Sequence, residues 1–204
     1  EAENGNIKWS VDLMDKFNGR NIRWGVTENL LLDDGKLFIT LGGVETNVIA
    51  LDPATGNLIW KCPGNGEKSA YNSPALFNHS GRKILVTQTE NSILGIDASN
   101  GHLLWSHEQT NEWSVHPNTP IYGDGFIYVV SGYGRGGVQL KLSADGSSIT
   151  QVWRNSSLDN QMGGVVLLDG RLYGAGHNNR KLICLDWKTG EELFNTSVVQ
   201  RGNT

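Results

Sequence analysis

Asp52-Pro-Ala-Thr-Gly56-Asn-Leu-Ile-Trp60 returns in kind as Asp97-Ala-Ser-Asn-Gly101-His-Leu-Leu-Trp105 and as Asp186-Trp-Lys-Thr-Gly190-Glu-Glu-Leu-Phe194. The shared template is an aspartate, a glycine four residues on, and an aromatic four residues after that. Each copy follows a short strand-forming run: Val48-Ile-Ala-Leu51, Ile93-Leu-Gly-Ile96 and Leu182-Ile-Cys-Leu185. A strand that reverses here needs a residue at positive φ, which the glycine supplies, and an acceptor for the turn's unpaired amides, which the aspartate supplies. The aromatic is placed to cover the sheet edge or the gap to the next sheet. Asp52, Gly56, Trp60, Asp97, Gly101, Trp105, Asp186, Gly190 and Phe194 are therefore read as scaffold.

Two further copies are imperfect. Val138-Gln-Leu-Lys-Leu142 leads through Asp145-Gly146 to Trp153, with three extra residues between glycine and aromatic. Gly5-Asn-Ile-Lys-Trp9 keeps the spacing, but its aspartate position is Glu1. The aromatics at 9, 60, 105, 153 and 194 are separated by 51, 45, 48 and 41 residues. A period of this length, divided into four strand-length runs joined by Gly, Asp and Asn turns, predicts an all-β β-propeller built of four-stranded antiparallel blades. The expected division is an outer strand of a preceding blade over 1–12, then blades over 24–62, 70–108, 115–155 and 160–198. About four blades are half of a seven- or eight-bladed propeller. Because the first copy begins in mid-template, the reading expects a partial propeller over 1–204, completed by missing blades or by a second copy.

Composition narrows the partners. The 204 residues are 38% hydrophobic, enough for a core, and carry a formal net charge of -4, which gives no basic footprint for nucleic acid. No apolar run reaches the length of a transmembrane segment. Cys62 and Cys184 stand apart and outside any C-x-x-C spacing, so they are read as structural thiols. The sequons at Asn78, Asn155 and Asn195 occur at chance frequency. Of the five histidines, only His116 and His177 fall on the ligand-bearing face, with no third ligand, so no metal site is expected.

The D-x-x-T-G-x-x-x-W element resembles the tryptophan-docking motif of the PQQ-like (quinoprotein alcohol dehydrogenase-like) repeat family. Arg23-Trp-Gly-Val-Thr-Glu28, Asn72-Ser-Pro-Ala75, Ser131-Gly-Tyr-Gly134 and Leu182-Ile-Cys-Leu-Asp186 are similar to the polyvinyl-alcohol-dehydrogenase-like exported bacterial branch. The resemblance implies a periplasmic or extracellular location. It also implies two kinds of relative: dehydrogenases that use PQQ with Ca²⁺, and non-enzymatic propellers, among them a lipoprotein of outer-membrane assembly.

Ligands of propellers sit on the face that carries the loops leading into each innermost strand and those joining second to third strands. Repeat alignment places Arg23-Trp24-Gly25, Tyr71-Asn72, Val115-His116 and Asn160-Gln161 at equivalent lead-in positions. The candidate ligand-binding residues are Arg23, Glu28, Tyr71, Asn72, His116, Asn118 and Gln161, convergent polar groups at a channel mouth. The alternative is that these polar residues satisfy turn amides. Ser131-Gly-Tyr-Gly-Arg-Gly-Gly137 lacks the strand-to-helix setting of a phosphate cradle and is read as a loop.

Two functions follow. One is a non-catalytic binding or scaffold propeller that holds a polysaccharide, a small molecule or a protein. The other is a PQQ/Ca-dependent alcohol dehydrogenase. Against the second, the chain has no adjacent cysteine pair, and Glu28 and Asn29, as strand neighbours, would point oppositely. The binding propeller is the reading carried forward, with no catalytic residues assigned.

Overall fold

A computed structural model describes residues 1 and 3–197. Sixteen strands form four sheets of four, each in sequential antiparallel order. The first blade holds β1 (Leu31–Asp33), β2 (Lys36–Thr40), β3 (Val48–Leu51) and β4 (Leu58–Cys62). The second holds β5 (Ala75–His79), β6 (Arg82–Gln88), β7 (Ser92–Asp97) and β8 (Leu103–Glu108). The third holds β9 (Ile121–Gly123), β10 (Phe126–Ser131), β11 (Gly136–Leu142) and β12 (Ile149–Asn155). The fourth holds β13 (Val166–Leu168), β14 (Arg171–Ala175), β15 (Leu182–Asp186) and β16 (Glu192–Thr196). This is the expected β-propeller architecture. Val198, the last residue assigned to the fourth blade, lies outside the described residues, as does Ala2 of the leading segment.

Local chemistry sets each meander. The two innermost strands of every blade are joined by a two-residue turn: Asp34-Gly35, Ser80-Gly81, Asp124-Gly125 and Asp169-Gly170. All eight residues have φ between 47° and 83°. That double positive φ is the signature of a type I′ turn, whose twist matches the flanking strands. At the outer turn, the Asp52 carboxylate accepts the N–H groups of Ala54 (2.7 Å) and Thr55 (3.1 Å). Asp186 does the same for Lys188 (2.9 Å) and Thr189 (2.8 Å).

Apolar rows crossing each sheet pack against the next sheet. Leu31, Phe38, Ala50 and Trp60 lie in one cross-strand row of the first blade. They meet Leu85, Leu94, Ile96 and Ala98 of the second. Ile121, Tyr128 and Trp153 of the third blade likewise meet Leu172, Ile183, Leu185 and Trp187 of the fourth. Each fully buried side chain in these layers contributes about 1.5–3 kcal/mol.

The repeat aromatics close these layers. The Trp60 ring lies on Gly101 of the following blade, so closely that a Cβ there would stand 2.6 Å from the ring. Its Nε1 donates to Ala98 O at 3.2 Å. Trp153 repeats the contact on Gly190 and donates to Trp187 O (3.3 Å). Trp9 makes it on Gly56 and donates to Pro53 O (2.9 Å).

The stretched copy departs from this pattern. Ser143 and Ser148 are paired as Asp52 and Asn57 are, so Gly146 stands one place early in its turn. Trp153 faces Gln139, four residues before Ser143, whereas Trp60 faces Ala50, two before Asp52. The β11–β12 hairpin is therefore longer by two residues on each strand, an even number that keeps Trp153 on the same face. The preceding ring, Trp105, does not lie on Gly146. It covers Gly95 of its own sheet, and its buried Nε1 has no partner. His79 takes the place at the displaced turn, with Nε2 2.8 Å from Ser143 O.

Of residues 1–12, expected as an outer strand, those described are not in a strand. They lead into α1 (Leu13–Phe17), capped by Asp12, whose carboxylate accepts from Met14 N at 2.9 Å. Phe17, with Val11, Leu13 and Met14, packs on Ile39, Leu41, Ile49 and Leu51 and covers the outward face of the first blade. In the outward row of the fourth blade, Val166, Tyr173, Cys184 and Phe194, Cys184 is buried, but among the described residues no such helix covers the two ends. Val166 remains 61% and Phe194 46% exposed. No helix among the described residues is long and apolar enough to cross a membrane.

Gly101 and Gly81 both hold φ above 80° or at it, but only Gly101 lies beneath a ring, while nothing stands within 4 Å of a Cβ at Gly81. Gly101→Ala is expected to lose about 1–3 kcal/mol more than Gly81→Ala, the cost of displacing Trp60. Urea unfolding of both variants checks this, and equal midpoints would remove the ring contact from the account.

Candidate functional site

The lead-in segments carry two different things: a buried polar belt and an exposed aromatic cluster. Glu28, Asn72 and Asn118 each sit three residues before the first strand of their blades. Glu28 Oε1 accepts the N–H of Thr40, the last residue of β2, at 2.7 Å. With its amide oriented to satisfy both ends, Asn72 accepts the N–H of Gln88, the last residue of β6, at 3.0 Å and donates to Gln88 O at 2.8 Å. One position thus does one job in two blades, with a carboxyl in the first and an amide in the second.

The belt continues around the blades. Thr40 Oγ1 and Thr87 Oγ1 share a hydrogen bond of 2.7 Å. Gln88 Nε2 donates to Asn118 O (3.2 Å), Asn118 Nδ2 to Asn160 O (2.8 Å), and Asn160 Nδ2 to Ala175 O (2.9 Å). Thr40, Asn72, Thr87, Gln88, Asn118 and Asn160 are all buried. His116 is fully buried beside them, its Nδ1 2.7 Å from Ser131 Oγ and its Nε2 3.2 Å from Glu90 O. A carbonyl can only accept, so Nε2 carries the proton and Nδ1 receives the Ser131 hydroxyl.

Burial moves both ionisable members of this belt. The Glu28 carboxyl is pushed up to about 7 by desolvation, which its hydrogen bonds from Thr40 offset only in part. Its second oxygen, Oε2, is buried without a partner. Desolvation pulls the His116 imidazole down to about 4. Both shifts favour the neutral form for the same reason: a charge there would lose its water.

Arg23, Tyr71 and Gln161 belong to the second feature. The expected equivalence of the lead-in positions does not hold for all of them. His116 and Gln161 stand five residues before their first strands, Tyr71 four and Arg23 eight. The lead-ins carry no element of the repeat that could anchor their alignment. On the surface Arg23 lies 5.1 Å over the Trp24 ring, and Trp24 lies 5.7 Å from Tyr71. Tyr71 and Trp113 line a pocket of about 130 Å³ together with Arg23, Lys68, Ser69 and Glu90. Trp113 is 6.4 Å from Tyr133, which is 5.1 Å from His177 and accepts a hydrogen bond from Gln161 Nε2 at 2.5 Å. Trp24 and Trp113 are 58% and 52% exposed, against 7% for Trp60 and Trp105.

Backbone conformation marks the same surface. Nine non-glycine residues among those described have positive φ. Four belong to the type I′ turns and Asn18 is the αL cap of α1. The remaining four, Tyr71 (72°), Ser114 (53°), Tyr133 (61°) and Arg180 (54°), all lie in lead-in or second-to-third-strand loops. Such positions cost about 1–3 kcal/mol each and are held where the surroundings over-determine them. Buried Asp159 does part of this, its Oδ2 accepting from Gly134 N (3.0 Å) and Asn178 N (3.3 Å) and so tying two loops together. Trp113, Tyr133, Lys68, Glu90 and Asp159 were not among the sequence candidates. The available signal was phase: Trp24 and Trp113 fall outside the Asp-Gly-aromatic template that accounts for most of the other tryptophans.

Tyr71 is also a wall of a larger cleft of about 560 Å³, where the lead-ins of all four blades converge. Its lining, including Thr27, Asn29, Ser73, Asn118 and Met162, has no charged side chain. Cys62 and Cys184 are buried free thiols on different blades. No group of three or more His, Cys, Asp or Glu side chains suited to a metal occurs among the described residues.

Comparison with known proteins matches residues 1–149 to the sequence family described as outer membrane protein assembly factor BamB. No curated protein sequence matches the chain. Solved structures with a similar fold include BamB from Moraxella catarrhalis, 15% identical, TM-score 0.56, covering 82% of this chain and 47% of that one. A europium-containing methanol dehydrogenase is 14% identical, TM-score 0.57, with coverage of 86% and 42%. Sqt1 from Saccharomyces cerevisiae is 13% identical, TM-score 0.58, with coverage of 80% and 46%. The chain thus spans a little under half the length of each, and at these identities the likeness is one of fold.

The two shifted groups of the belt oppose each other in pH. Glu28, raised from 4.5 to about 7, keeps a proton that the unfolded chain releases, so its contribution is lost as pH rises through that window. His116, lowered from 6.5 to about 4, lacks a proton that the unfolded chain binds, so its contribution is lost as pH falls through its own window. Between pH ~4.5 and ~6.5 the two slopes cancel. Glu28→Gln keeps the acceptor for Thr40 N and removes one slope. Its stability relative to the parent should therefore grow from pH ~4.5 and level off above pH ~7, on the order of 2–3 kcal/mol higher. Denaturation midpoints measured across this range decide it; a difference that does not vary with pH would show that Glu28 does not titrate in the belt.

Proposed function

The chain belongs to the PQQ-like repeat family described as outer membrane protein assembly factor BamB, and from that premise we propose that it is a non-catalytic binding propeller whose partner docks on the loop face. One observation carries the reading. The two exposed tryptophans and the two tyrosines held at positive φ all gather on that face. Strained backbone and solvated aromatic rings both oppose stability, and together they suit a contact surface. The family description, that of an assembly factor, agrees with a binding role in an exported, periplasmic setting. The exposed ends of the fourth blade's outward row, Val166 and Phe194, support a second contact, with a further blade from the rest of the protein or from another copy. The counterparts of that row in the earlier blades are each covered by a neighbouring sheet.

The dehydrogenase alternative asks for donors that these residues do not supply. PQQ carries several carboxylates and needs cations or a metal beside it, and Ca²⁺ takes anionic oxygen ligands. The uncharged cleft offers neither. The one acid close to it in sequence, Glu28, is committed to Thr40 N, and its burial opposes ionisation. The residues lining that cleft do not fit that cofactor.

A photo-crosslinking residue in place of Glu112, exposed beside Trp113, in the full protein in its native compartment, should give discrete adducts. The same residue in place of Asn57, exposed in an outer turn, should give none. In parallel, calorimetric titration of the purified protein with PQQ and Ca²⁺ should show no stoichiometric uptake. Tight one-to-one binding of PQQ, or equal crosslinking at both positions, would reverse the assignment.

A further inference from the structure

The small pocket beside Trp113 has a chemistry of its own. Arg23 and Lys68 line it with a single carboxylate, Glu90. None of these three is in an ion pair; the ion pairs found among the described residues involve other side chains. The pocket thus carries a local excess of positive charge on a chain whose formal net charge is -4. Its lining includes two aromatic side chains, Tyr71 and Trp113, and Ser114.

From the pocket the rings run on in both directions, to Trp24 on one side and through Tyr133 to His177 on the other. The pairs Trp24–Tyr71, Trp113–Tyr133 and Tyr133–His177 are tilted by 49° to 57°. The surface is therefore a series of separate platforms, one after another across the blades, not a single flat apolar patch.

We propose that this row binds an extended acidic polysaccharide, one uronic-acid-type unit sitting in the Arg23–Lys68 pocket against Tyr71 and Trp113. The assignment rests on the binding-propeller reading above and deepens it. A pyranose ring presents an apolar C–H face to an aromatic platform and hydroxyl edges to polar side chains. A ring carboxylate makes charge-assisted hydrogen bonds to guanidinium and ammonium. Both requirements are met in the pocket, and a polymer of such units matches a row of platforms. An extended peptide fits less well. It would seek a free strand edge, whereas the rings sit on the segments between α1 and β1, β4 and β5, β8 and β9, β10 and β11, and β14 and β15. Shielding an unpaired Arg and Lys from water also favours an anion over a neutral sugar.

The test titrates the full protein with oligogalacturonate, with a neutral galactan oligomer of the same length and with a proline-rich peptide, following tryptophan fluorescence and heat. Oligogalacturonate should bind, weaken with added salt, and lose about tenfold in affinity in Arg23→Met or Lys68→Met and at least as much in Trp113→Ala. Melting temperatures should stay unchanged, since Trp113 and Lys68 are exposed. Galactan binding as tightly as oligogalacturonate, or indifference to Arg23→Met and Lys68→Met together, overturns the acidic class while leaving loop-face binding intact. Peptide binding lost in Trp113→Ala, with no glycan bound, likewise overturns the polysaccharide and keeps the face. If Trp24→Ala and Trp113→Ala alter neither titration nor the native crosslinks, the binding face itself is wrong.

Discussion

A tryptophan ring resting on a glycine of the next blade is the contact on which the rest depends. Trp60 on Gly101, Trp153 on Gly190 and Trp9 on Gly56 each combine a close approach that excludes a Cβ with an Nε1–H bond to the second residue of the turn. The ring shields apolar layers at the outer rim, and the hydrogen bond fixes its rotamer and so the offset between sheets. A blade has little use for its own apolar row unless another sheet covers it, and this contact sets where that sheet lies. The Asp carboxylates act one step earlier, holding the turn in the shape that leaves its glycine open to the ring. The third blade shows the same constraint by its failure. Once the β11–β12 hairpin is lengthened, Trp105 turns back over Gly95, its N–H is left unpaired, and His79 bridges to Ser143 instead.

At the inner end of the blades the joining is done by polar groups. Thr40, Thr87, Gln88, Asn118 and Asn160 are buried and pass hydrogen bonds from one sheet to the next. An amide suits this task because it can donate and accept at once, as Asn72 does on both backbone groups of Gln88. Glu28 stands in the same place with only acceptors when ionised, and one of its oxygens is orphaned. Its pKa is raised by desolvation, and protonation gives the carboxyl a donor beside its acceptor, as in the amide that the position carries in the next blade. The belt selects neutral hydrogen-bonding groups wherever the sequence places an ionisable one.

The scaffold was legible because its physics is local and repeated. Asp52, Gly56 and Trp60 lie within nine residues, and their recurrence gives blade type and phase before any contact is known. The stretched copy misled by one place, since Gly146 looks like the template glycine but occupies the position of Thr55, which only the Ser143–Ser148 pairing reveals. The site was less legible for a different reason. Asn72, His116 and Asn118 are polar loop residues, and nothing in their identity tells a solvated ligand group from a buried one. That depends on neighbouring blades about 40 to 50 residues away, the range that a propeller period sets. Arg23 and Tyr71 did reach the surface, where they meet Trp113, a residue from another blade's lead-in.

This division separates stability from recognition. The residues that hold the blades together are periodic and interior, so each is constrained by a counterpart at the same place in the next sheet. Trp24, Tyr71, Trp113 and Tyr133 have no such counterparts and stand on loops whose ends are fixed by Asp159 and the belt. Changing a ring there disturbs no packed layer, whereas changing a ring at the outer rim shifts two sheets. The face is thus free to vary in what it contacts while the fold stays as it is, and a residue's phase relative to the repeat separates the two roles. Of the tryptophans in phase, Trp9, Trp60 and Trp153 meet a turn glycine and Trp105 is buried over Gly95; of those out of phase, Trp187 serves as the backbone partner of Trp153 and Gln139, and only Trp24 and Trp113 are left to solvent.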